Sequence, residues 1–124
     1  MRKALLLLTI IAATAGSAET EMSMDLMQNI EDTNKSLSSN IALANKQGAG
    51  DDAKELTRMF TEVEAHFVQK GGDARNAVDL AKQSKELSAE IASLVSTGKF
   101  EPATEAATTL SRTCRTCHTF YKKE

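Results

Sequence analysis

Tryptophan is absent from this 124-residue chain, which has one tyrosine, four phenylalanines, one proline and two cysteines. So few cysteines exclude a scaffold held by several disulfides. There is no surplus of positive charge either. Fifteen Lys and Arg stand against 17 Asp and Glu, a formal net charge of −2, whereas nucleic-acid binders usually carry a clustered basic excess. At this length one domain is expected, which leaves no room for a multidomain enzyme or a two-domain nucleotide-binding fold. Serine and threonine are frequent, yet no nucleophile, base and orienting group stand out as a set, so no enzyme is expected.

The longest apolar run starts at residue 4 and is too short to cross a bilayer, which takes about 20 apolar residues. Met1-Arg2-Lys3 precede it and Gly16-Ser17-Ala18 follow, the charged, apolar and small-residue order of a secretory signal. Residues 1–18 are therefore expected to be a cleaved signal peptide, which makes the protein periplasmic and leaves no membrane span after cleavage. The remaining domain, residues 19–124, is 106 residues long with a net charge of −4, because Arg2 and Lys3 leave with the signal. Its apolar residues are few and rich in Ala. Small domains with thin cores often need a staple or a cofactor.

Glycine and proline punctuate this domain only at Gly48 and Gly50, Gly71-Gly72, Gly98 and Pro102. The four segments between them each show the alternating three- and four-residue spacing of an amphipathic helix. The stripes are Met27, Ile30, Asn34, Leu37, Ile41 and Ala44; Ala53, Leu56, Phe60, Val63 and Phe67; Ala77, Leu80, Ser84, Leu87, Ile91 and Leu94; and Ala103, Ala107, Leu110, Cys114, Cys117 and Tyr121. Asp51-Asp52 reads as the acidic start of the second helix and Asp73 as the N-cap of the third. Short connections then predict an all-α, antiparallel up-down-up-down four-helix bundle.

Both cysteines lie in Cys114-Arg115-Thr116-Cys117-His118, close to the C-terminus. C-x-x-C-H is the signature of c-type haem attachment. On a helix, positions i, i+3 and i+4 share a face, so both thiols can meet the haem vinyl groups while the imidazole meets iron. A redox-active C-x-x-C is expected near a βαβ pattern, which is missing here. A disulfide between these two would close too small a loop to stabilise much. Zinc would need further Cys or His, and the other histidine, His66, falls on a different helix. The expected cofactor is one covalently attached haem c, with His118 as an iron ligand.

The opposite iron ligand has to come from similar depth on the first helix, which starts beside the end of the fourth. His118 is six residues from the C-terminus, about 9 Å of helix. Met27 matches that depth and belongs to the inward stripe, with Met24 one turn shallower and Met22 at the frayed end. Met27 is therefore the expected second ligand. Met/His ligation is an established haem arrangement.

The C-terminal C-x-x-C-H followed by Tyr121-Lys122 resembles the class II c-type cytochromes, the cytochrome c prime group. The order Gly98-Lys99-Phe100, an Ala-rich helix, then His118-x-x-Tyr121-Lys122, with Leu56-Thr57-Arg58-Met59 on the second helix, is similar to the small periplasmic b-type four-helix-bundle cytochromes. The first resemblance implies a four-helix bundle with haem fixed near its C-terminus. The second implies a Met near the start of helix one and a His near the end of helix four as ligands, which falls on Met27 and His118. Many cytochrome c prime proteins place an Arg on helix one beside the haem, and this chain has none there.

Two functions follow. With both axial positions filled, the chain is a single-electron carrier working with redox partner proteins, as a monomer or homodimer. With an apolar residue such as Ile30 or Leu26 over the iron instead, it is a five-coordinate haem protein binding NO or CO. Arg112, Arg115, Lys122 and Lys123 cluster at the haem-bearing end, where they complement the helix dipole and are placed to steer an acidic partner. His66 is expected to be an ordinary, partly exposed histidine. Phe60, Phe67, Phe120, Leu56 and Met59 are candidates for core or haem packing.

Overall fold

The computed structural model describes residues 24–121, save the side chains of Asp73, Phe120 and Tyr121. The expected signal peptide, Met22, Lys122 and Lys123 lie outside the described residues. Four helices follow one another: α1 (Met24–Ala42), α2 (Lys46–Lys70), α3 (Arg75–Ser96) and α4 (Phe100–Tyr121), with a 3₁₀ turn over Gly72–Ala74. The described residues contain no strand. Each helix packs on the next, and α1 closes the ring against α4, which is the bundle expected from the periodicity.

The four seams are unequal. The α2–α3 seam is the most densely packed and the α1–α4 seam the least. Small residues account for the first: Ala53 on α2 and Ala77, Ala81, Ser84 and Ser88 on α3 are buried, letting the backbones approach. Lys85 of α3 also pairs with Glu64 of α2, and both side chains are largely shielded. The buried hydroxyls of Ser84 and Ser88 donate to the Leu80 and Ser84 carbonyls, so neither is left unpaired. The core is completed by Leu37, Leu56, Met59, Ile91, Val95 and Leu110, all essentially inaccessible to water.

Three sequence expectations change. Gly48 and Gly50 do not break the chain; they sit in the opening turns of α2, which starts at Lys46 rather than at Asp51-Asp52. Asn45 caps that helix, its side-chain oxygen accepting from the Gly48 N–H at 3.1 Å. A Cβ at Gly48 would stand 2.7 Å from the Asn45 amide nitrogen and 2.9 Å from Asn40, so the glycine permits close approach rather than a break. On α3 the buried line is Ala77, Ala81, Ser84, Ser88, Ile91 and Val95, while Leu80, Leu87 and Leu94 are half-buried flanks. The expected Leu edge was the side of that face, because the close α2–α3 contact admits only small residues at its centre. The α3 N-cap position is Ala74, one residue after Asp73 and without a side-chain cap.

α1 ends in a Schellman turn: Asn45 N–H donates to Asn40 C=O at 2.8 Å and Ala44 N–H to Ile41 C=O at 3.0 Å. Gly98 serves the same purpose after α3 with φ 73°, but the first turn uses Ala44 at φ 52°. An L-residue there costs about 1–2 kcal/mol, partly offset by the lower entropy of unfolded Ala relative to Gly. Ala44→Gly is expected to stabilise the fold by about 0.5–1 kcal/mol. The measurement is a raised urea midpoint with an unchanged slope.

Candidate functional site

α4 carries its small and apolar residues inward: Ala103, Ala106, Ala107, Leu110 and Thr113 are buried. Cys114 and Cys117 continue that face toward the C-terminus as half-buried thiols, with Cys114 packed against the core. They are free, one turn apart, and His118 follows as an exposed residue in the last turn of α4. The three expected haem-binding positions on α4 are thus brought to one side of one helix end.

Burial, then the neighbouring Cys117, pushes the Cys114 thiol up to about 11. Burial raises the Cys117 thiol as well. Thiol–disulfide catalysts work with lowered thiol pKa values. Both shifts run the other way, and the described residues offer no strand for a βαβ setting. Among the described residues, no group of three or more His, Cys, Asp and Glu side chains is arranged to hold a metal ion. His66 stays on α2, half-buried, with its ring edge-on to Phe67 at 5.0 Å and 82°.

The facing residues of α1 follow from one hydrogen bond. Asn34 donates through Nδ2 to Ser111 Oγ at 3.4 Å, which sets these two residues opposite one another across the α1–α4 seam. Seven residues, about two helical turns, separate Asn34 from Met27 and Ser111 from His118. Because α1 and α4 run antiparallel, two turns along each in the same direction bring Met27 to the level of His118, on the facing stripes. Met27 is half-buried and packs against the core beside Ile30 and Leu26. Two turns the other way lead to Ile41 and Thr104, which line one groove of about 260 Å³ with Ser38, Ala107 and Thr108. The register is therefore consistent along the seam.

Sequence reasoning singled out Cys114, Cys117, His118 and Met27 but gave Asn34 and Ser111 no role. The signal was present as the one polar member of the α1 stripe. Leu56 and Met59, considered as haem-packing residues, are fully buried core residues, as are Phe60 and Phe67 apart from a few percent of their surface. Arg112 and Arg115 are exposed.

The residues fit a covalently held haem on three counts: half-buried thiols on an inward face, an imidazole one position beyond, and a thinly packed seam with Met27 at the matching level. No helix among the described residues is long and apolar enough to cross a membrane. The chain matches no known protein family, no curated protein sequence and no solved structure.

Proposed function

We propose that this protein is a periplasmic c-type cytochrome that carries single electrons between redox proteins and performs no catalysis of its own. The observation that supports the reading is the Asn34–Ser111 hydrogen bond across the α1–α4 seam, from which equal counts of two turns lead to Met27 and to the C-x-x-C-H end of α4. Cys114 and Cys117 would hold the haem through two thioethers to its vinyl groups. His118 on α4 and Met27 on α1 would supply the protein ligands of its iron. Bound haem supplies one-electron exchange between the ferric and ferrous states. With ligands from both helices the iron would have no open position for a substrate, and a thioether sulfur as one of them would raise its potential. The half-buried Leu26 and buried Ile30 keep water from the α1 side of the site. The signal peptide over residues 1–18 delivers the chain to the compartment where this attachment is made.

The test is expression with the haem-attachment machinery, followed by intact mass and spectroscopy. One haem should be added covalently, and the oxidised protein should be low-spin with a Met-to-iron charge-transfer band. Met27→Ala should remove that band, leave ferric iron high-spin and admit CO to the ferrous form. The potential should fall on the order of 0.1 V, within the roughly 0.8 V range that axial ligands command. High-spin iron and ready CO binding in the unmodified protein would replace the electron carrier with the five-coordinate NO or CO binder. No covalent mass increase would reject both.

A further inference from the structure

The polar pair between α1 and α4 is an odd way to hold two helices. The contact is long, 3.4 Å, and Asn34 Oδ1 is buried with no hydrogen-bond partner. An unmet buried acceptor destabilises, so on stability grounds alone an apolar pair at these positions would serve better.

Elsewhere the register of neighbouring helices is set by shape. Between α2 and α3, buried Ala53, Ala77, Ala81, Ser84 and Ser88 let the two backbones close tightly, a contact that a sliding helix would lose. The α1–α4 seam is packed less closely. Thr104, Ala107, Thr108 and Ser111 of α4 line an open groove there with Ser38, Ile41 and Ala42 of α1. An open seam of this kind resists sliding along its axis less than a closely packed one. Toward the C-terminal end of α1, Ser36 and Asn40 both donate to Asp52 Oδ2 of α2, at 2.7 and 2.8 Å, which ties α1 to α2.

From this we infer that Asn34, through Ser111, is a positioning residue that fixes the axial register of α1 against α4 and so holds Met27 opposite His118. The inference rests on the ligand assignment above. A single buried Asn setting register at a cost in stability is a known device of packed helices. Two turns of helix connect each member of the pair to its ligand, so a slip at Asn34 is carried undiminished to Met27. A slide of one residue moves Met27 about 1.5 Å along the axis and brings to the level of His118 a neighbour that points about 100° away. That is enough to lose a bond to iron.

The experiment uses the haem-loaded mature protein. In Asn34→Leu with Ser111→Ala, the Met-to-iron charge-transfer band should lose at least half its intensity, replaced by high-spin iron. Stability is compared in a Met27→Ala background, where no methionine ligation contributes. There the urea midpoint of the apolar pair should equal or exceed that of Met27→Ala alone. Exchanging the two residues, Asn34→Ser with Ser111→Asn, should bring the band back to at least half. A full band in the apolar pair overturns the inference, as does a lost band that comes with a lowered midpoint or that the exchange does not restore. Unmodified protein lacking the band rejects the Met27 ligand assignment itself, and this inference with it.

Discussion

Cys114→Ala combined with Cys117→Ala is expected to abolish covalent haem addition, bringing the mass increase from one haem to none. Both thiols sit half-buried on the inward side of α4. Loss of either alone leaves one thiol able to form one thioether, so each single variant should keep covalent colour with a shifted haemochrome spectrum. In the double variant His118 and Met27 are untouched, and on the proposed reading haem held by them alone should become extractable by acid and organic solvent. Intact mass spectrometry before and after extraction separates the three outcomes. Alanine is small and a good helix former, so α4 itself should survive the change.

The second large effect is on the fold. Leu37 is completely buried at the centre of α1, where only Ile30 and Ile41 accompany it as buried apolar residues. Leu→Ala in a packed core costs about 2–5 kcal/mol, through lost transfer energy and the cavity left behind. For a small domain with a total stability of about 5–10 kcal/mol this is a major fraction. Leu37→Ala is therefore expected to lower stability by about 3 kcal/mol. The loss should fall unevenly. Hydrogen exchange of α1 amides should accelerate far more than that of α2 and α3, whose mutual packing does not involve Leu37. Equal acceleration in all four helices would show that α1 is as deeply integrated as the others.

Most of the fold was legible from the spacing of apolar residues. Ala53, Leu56, Phe60, Val63 and Phe67 are all buried on α2, as their three- and four-residue intervals require. What the intervals hid was decided by contacts between distant residues. Gly48 looks like punctuation until the side chains of Asn45 and Asn40 are seen to occupy the space a Cβ would need. The face of α3 is turned toward Ala81 and Ser88 because α2 lies so close, and Ser88 does not read as core on hydropathy alone. At the site, Cys114, Cys117 and His118 form one contiguous motif and needed no tertiary information. Met27 came from counting depth along two antiparallel helices. Asn34 and Ser111 are 77 positions apart, and only the packed seam reveals that they meet.

The uneven packing also bears on how a flat ring would enter. On the proposed reading the guest is wedged between α1 and α4, the seam that gives up the fewest contacts when it widens. The opposite seam, locked by Lys85 and Glu64 and by small residues too close to part cheaply, need not move at all. The work of admission is then confined to one helix, α1, pivoting on its ties to Asp52. A hinge at one end and a ligand at the other make that helix the door of the bundle, with the rest of the protein as its frame.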